Sequence, residues 1–166
     1  GDINNSGLIE TEGTGIYLYG AGGNAFVGGD VINSGTIISN ADSGIFLYGT
    51  VIGNVDNSGL INADERGIYI YGSVGGDLIN SGTIIGGDEG ISLIGSISGD
   101  INNSGLIEAD GHGIYLYGAN GASLVEGNIT NSGTIISASE SGIYVYGKVL
   151  GGIDNSGLIQ GANNGI

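Results

Sequence analysis

The chain has 166 residues, with 38 Gly, no Pro, Cys, Met or Trp, and a formal net charge of −15 from 17 acidic side chains against two basic ones, Arg66 and Lys148. That balance excludes nucleic acid and anionic membrane surfaces as partners, because both are held through Lys and Arg that this chain lacks. No apolar run reaches membrane-spanning length and no charged-then-apolar leader opens the chain, and in the absence of any Met it reads as a segment of a longer protein.

Taken from the N-terminus, the first predicted strand centres on Ile3 and runs into the tripeptide NSG at 5–7. A second strand, around Ile9, follows directly. A polar loop then leads to GIYLYG at 15–20, and a short segment ending at Val27 closes the unit before the next Gly-Asp pair. Each run is short, alternates apolar with other residues and lacks helical spacing.

The same unit then returns along the whole chain. NSG occurs seven times, with its Asn at 5, 33, 57, 80, 103, 131 and 155, in steps of 28, 24, 23, 23, 28 and 24 residues. After 98 residues the series restarts: 1–68 align with 99–166 without a gap, at 43 identical positions. Length changes fall only in the loop before GIFLYG at 44–49 and GIYVYG at 142–147, and after Gly20 and Gly118, which marks these places as loops between strands of fixed length. A strand of four to six residues cannot bury a face alone. Stacking equivalent strands in parallel, about 4.8 Å apart, can. The reading is therefore all-β: a three-sided parallel β-helix of about seven coils, each of 23–28 residues, with a four-coil super-repeat of 98 residues. Gly supplies its bends, and Pro, which would break the ladder, is absent.

Alternation along each strand sorts the faces. The aliphatic columns beginning at Ile3, Ile9, Ile16, Leu18 and Val27 point inward. The NSG Asn lies two residues after the first of these columns, so Asn5, Asn33, Asn57, Asn80, Asn103, Asn131 and Asn155 share its phase. We expect them to form a hydrogen-bonded ladder, with the NSG Gly supplying a positive φ at the bend. Outward positions after NSG form a checkerboard, in which Leu8, Leu60, Leu106 and Leu158 are followed two residues on by a polar residue, and Thr36, Thr83 and Thr134 by Ile. This pattern balances volume on a half-covered face or offers a lateral contact between rods.

All nine Tyr fall in the GIxLxG motif and point outward. Tyr17, Phe46, Tyr69, Tyr115 and Tyr144 make one column, and Tyr19, Tyr48, Tyr71, Tyr117 and Tyr146 a second; Ser92 and Ile94 interrupt both. Such a strip stiffens the sheet through ring contacts or serves as a docking face for a glycan, a surface or another rod.

Chemistry finds less support. DINNSG at Asp2 and Asp100 imitates the start of an EF-hand loop, but the twelfth position is Gly13 or Gly111 where a bidentate Glu is required. An acidic row along the loop, Glu12, Asp42, Asp64, Asp88, Asp110 and Glu140, is a solvated edge or a weak Ca²⁺ candidate. No other cofactor is expected. His112 is the single His and no catalytic set can be assembled around it, so no enzyme activity is expected either.

The units INNSGLIEADGHGIYLYG and ITNSGTIISASESGIYVYG resemble the repeats of bacterial autotransporter passengers and related large surface adhesins. The resemblance covers all seven units. It implies a right-handed parallel β-helix exported to the bacterial cell surface as a stalk, fibre or adhesive rod, and it carries over no site residues. The expected partners are further coils stacked end to end, a lateral neighbour, or a glycan or surface.

Overall fold

The computed structural model describes residues 1–20, 22, 24–118 and 123–166. They form a β-solenoid of three stacked parallel sheets. The first sheet holds seven three-residue strands that end in the NSG Asn, from Ile3–Asn5 to Ile153–Asn155. The second holds the seven strands that follow NSG, from Leu8–Thr11 to Leu158–Gln160. In the third, six GIxLxG strands run from Ile16–Tyr19 to Ile143–Tyr146, beside short segments such as Ser73–Val74. In the second unit these two pieces are one strand, Ile45–Val51, which joins them into a sheet of 11 strands. Seven strands on two walls and six on the third make about six turns, and the seventh NSG unit begins another.

Register is uniform. Ile3 pairs with Val31, Val31 with Val55, and the NSG Asn residues pair in step along the same sheet. On the second wall Ile9, Ile37, Ile61, Ile84, Ile107, Ile135 and Ile159 lie over one another. A one-residue slip would turn each such column to the opposite face, so burial of one face fixes the register. The columns meet in a single core in which Ile37, Leu47, Ile68, Leu78, Leu93 and Ile107 have no exposed surface. Ile3, Ile9, Leu18, Val149, Ile153 and Ile159 pack on its ends and are partly covered. Val145, read as inward, is 37% exposed because no described strand of the third wall lies over it.

One expectation fails. The NSG glycines do not take a positive φ; among the described residues Gly22 is the glycine that does, at 74°. Their role is close approach. A Cβ on Gly35, Gly59, Gly82, Gly105, Gly133 or Gly157 would run into the carbonyl oxygen of the NSG glycine one turn earlier. The corner is therefore stacked glycine on glycine, and the backbone needs no unusual conformation to turn there.

The outward face of the second wall keeps its checkerboard. Leu8 pairs with Thr36 and Glu10 with Ile38, so an apolar side chain has polar or hydroxyl neighbours in the turns beside it. Inner members such as Ile38, Leu60 and Ile85 are half-buried.

Candidate functional site

The third wall carries the aromatic strip. Its rings stack turn on turn: Tyr17 to Phe46 at 5.3 Å, Phe46 to Tyr69 at 4.7 Å, and Tyr19 to Tyr48 at 5.4 Å between centroids. Tyr48 and Tyr71 follow at 4.9 Å, tilted by 34°. A second patch has Tyr115 against Tyr144 at 5.5 Å and Tyr117 against Tyr146 at 5.7 Å. These spacings are those of adjacent strands, so the backbone repeat itself brings the faces together. Rings cover one another, which leaves Phe46, Tyr48, Tyr69 and Tyr115 half-buried. Tyr17, Tyr19, Tyr71, Tyr117, Tyr144 and Tyr146 stay exposed, Tyr19 at 58%.

Ser92 lies in register between Tyr69 and Tyr115, where a ring is missing. It is nonetheless only 2% exposed. Beside this gap runs a column of loop residues, one per turn, that precede the motif glycine: Thr14, Ser43, Arg66, Glu89, His112 and Ser141. Arg66 puts its guanidinium 4.7 Å from the centre of the Tyr69 ring. Its Nη1 donates to Glu65 Oε2 at 3.1 Å, and its Nε lies 2.9 Å from Glu89 Oε2 without hydrogen-bond alignment. His112 stacks on Tyr115 at 4.7 Å, and its Nδ1 accepts a hydrogen bond from the Ser141 N–H at 3.3 Å. Burial pushes the Glu89 carboxyl above its ordinary range, and the neighbouring Arg66 offsets this only in part. Burial also raises the Tyr69 and Tyr115 hydroxyls, and the nearby Glu89 charge adds to both shifts. Sequence reading missed this Arg-Glu-His column because its residues do not repeat.

On the loop side of the first patch opens a cleft of about 490 Å³ lined by Thr14, Tyr17, Asp42, Phe46, Glu65, Arg66 and Tyr69. Asp42 accepts from Thr14 Oγ1 at 2.7 Å and from the Ser43 N–H at 2.7 Å. Burial acts to raise its carboxyl, but these hydrogen bonds and the Arg66 charge outweigh it and hold the group below the ordinary carboxylate range.

The acidic row does not form one column. Backbone bonds from Gly87 to Ala63 and from Asp110 to Gly86 put Asp64 and Asp110 in one column with Gly87 between them. Asp88 bonds to Glu65 O and lies one column over. Glu12 faces Asn40, and Glu140 accepts from Asn163 Nδ2 at 2.8 Å. Glu12, Asp64 and Asp110 stand three residues before the motif glycine but Asp42, Asp88 and Glu140 two before it, so the row alternates between two positions. Among the described residues no three His, Asp or Glu side chains gather closely enough to hold a metal ion.

Inside the first corner, Asn5 Nδ2 donates to Asn33 Oδ1 at 2.8 Å, and the same bond links Asn33 to Asn57, Asn57 to Asn80 and Asn80 to Asn103. Asn103 to Asn131 and Asn131 to Asn155 complete the ladder at 2.7 Å. The first six amides, Asn5 to Asn131, also reach the carbonyl of the residue after NSG in the next turn, such as Thr83 O from Asn57 at 3.2 Å. The buried amides are thereby satisfied, so their role is structural. A second ladder escaped notice in the sequence. The side chain after each unit's opening glycine accepts the backbone N–H of its counterpart one turn on: Asp30 takes it from Asn54 at 2.6 Å, Asn54 from Asp77 at 2.8 Å, and Asp77 from Asp100 at 2.8 Å.

Acid should strengthen the fold before it weakens it. Burial raises Asp56, with help from Asp30, as it raises Glu89, so both bind protons more tightly folded than unfolded. Their contribution is full below the unfolded values, 3.8 and 4.5, and is lost as pH rises through the folded ones. Asp42 has the opposite sign: its contribution is present above 3.8 and lost as pH falls through its lowered folded value. Tm followed by circular dichroism is expected to rise as pH falls from neutrality toward the unfolded values, 4.5 and 3.8, and to drop as pH falls further through the lowered Asp42 value. Asp56→Asn should flatten the upper limb, and a Tm that climbs steadily from pH 4.5 to 7 would contradict this assignment.

Fold and surface together define a parallel β-solenoid repeat protein with an aromatic strip on one wall. Comparison of the chain with models of known protein families, with curated proteins and with solved structures finds no match.

Proposed function

We propose that the chain is a structural segment of an extracellular rod, a stalk or fibre of a bacterial surface protein of the autotransporter passenger or large adhesin type. The observation that carries this reading is that side chains from all seven units enter continuous ladders of Asn, aliphatic residues and paired strands. Stiffness and length are what such a construction supplies. Its partners in this reading are further coils stacked end to end, with the checkerboard wall available for a lateral neighbour. The segment has no catalytic role of its own, and it needs no bound metal.

A second reading follows from the six Tyr rings of the strip that remain exposed: the rod adheres to a glycan or another surface through them. Serine at Tyr17, Tyr19, Tyr71, Tyr117, Tyr144 and Tyr146 separates the two. If the strip stiffens the rod, the variant should lose about 3 kcal/mol or more from its several ring pairs in denaturant unfolding, each pair contributing about 0.2–1 kcal/mol. Unchanged stability with lost binding on an array of neutral and acidic glycans would instead support adhesion. Surface placement is checked by proteolysis of intact source cells, which should remove an epitope in this segment; a fully protected epitope would contradict it.

A further inference from the structure

The repeat carries its own example of what the cleft beside the first aromatic patch accepts. In the third turn the residue before the motif glycine is Arg66, and its guanidinium covers the Tyr69 ring at 4.7 Å between the Glu65 and Glu89 carboxylates. In the fifth turn the same place is taken by His112, stacked flat on Tyr115. In the first two turns it is Thr14 and Ser43, which are too short to lie over a ring. There the cleft of about 490 Å³ is open, with Tyr17, Phe46 and Tyr69 on one side and Asp42, Glu65 and Arg66 among its polar groups. The Arg66 charge is already paired with Glu65 and Glu89. Asp42 is held ionised by its hydrogen bonds from Thr14 and Ser43.

Charge decides what fits. The loop edge of the first four turns carries Glu12, Asp42, Asp64, Glu65, Asp88 and Glu89 against Arg66 alone, on a chain of net charge −15. An anionic sugar or phosphate is repelled there. A planar cation gains from both the ring faces and the carboxylates. We infer that this cleft binds an arginine side chain of a basic partner segment, seated over Tyr17 and Phe46 as Arg66 is seated over Tyr69. Arg suits the site better than Lys because its flat guanidinium stacks on a ring while its edge N–H groups reach a carboxylate.

The test uses a hexapeptide of alternating Arg and Gly, its Lys counterpart and a neutral hexasaccharide, each titrated into the isotopically labelled chain by NMR. The Arg peptide should shift signals of Tyr17, Phe46 and Asp42, and should bind about tenfold more tightly than the Lys peptide. Asp42→Asn should weaken binding about tenfold. Thr14→Arg should abolish it by filling the seat from within, while Tyr144→Ser in the second patch should leave it unchanged. Should Thr14→Arg fail to fold, Asp42→Asn alone decides. The proposal is overturned by shifts spread over the whole acidic surface, by equal affinity for Arg and Lys peptides, by no shift at millimolar peptide, or by the hexasaccharide binding at these rings instead.

Discussion

Asn80→Ala is expected to cost about 3–5 kcal/mol of unfolding free energy, measured by denaturant titration. The side chain is fully buried, receives Asn57 Nδ2 at 2.8 Å, and donates to Asn103 Oδ1 at 2.8 Å and to Leu106 O at 3.1 Å. Alanine would remove all of these at once. It would leave an amide donor on one side and an amide oxygen on the other without their partners in a dry corner, at about 1–3 kcal/mol each. Asn155→Ala is the matched control. That residue is exposed and takes one ladder bond, from Asn131, so the expected loss is about 1 kcal/mol. Equal losses at the two positions would mean that the ladder is not a continuous buried network.

Gly59→Ala is expected to cost about 3 kcal/mol, whereas Gly7→Ala in the same motif should stay within about 0.5 kcal/mol of the parent chain. A Cβ on Gly59 would run into the Gly35 carbonyl, which is backbone in a paired turn and has little freedom to move. A Cβ on Gly7 meets nothing within 4 Å. Had these glycines been required for a positive φ, both substitutions would be costly, because strain of that kind does not depend on the turn beside it. The same pair of unfolding curves therefore separates close approach from backbone conformation.

The three walls were legible because a stacked fold demands the same kind of residue at the same place in every turn. Ile61, Ile84 and Ile107 follow one another at a constant offset from NSG, and all three are fully buried. The phase of the NSG Asn could be read in the same way, from its two-residue offset to a buried aliphatic column. What could not be read lies in the loops and at the corners. The acidic row reads as one series, although Asp64 stands three residues before its motif glycine and Asp88 two, and backbone bonds place them in different columns. The contact of Arg66 with Glu89 spans two turns whose loop sequences differ, so periodicity gives no signal for it. The Asp2, Asp30, Asn54 and Asp77 series did carry a signal, an Asx at a fixed place after glycine. Its meaning depends on an N–H one turn away. The five-residue extensions after Gly20 and Gly118 lie partly outside the described residues.

A rod made of stacked turns must grow by a fixed length for each turn added. Duplicating residues 1–98 ahead of residue 99 keeps the register, because 1–68 and 99–166 align without a gap. Small-angle X-ray scattering on the parent and extended chains then measures length and cross-section separately. The expected result is an unchanged cross-section and a maximum dimension longer by about 19 Å, four turns at about 4.8 Å each. A thicker particle, or an extended chain no longer than its parent, would contradict the stacked rod.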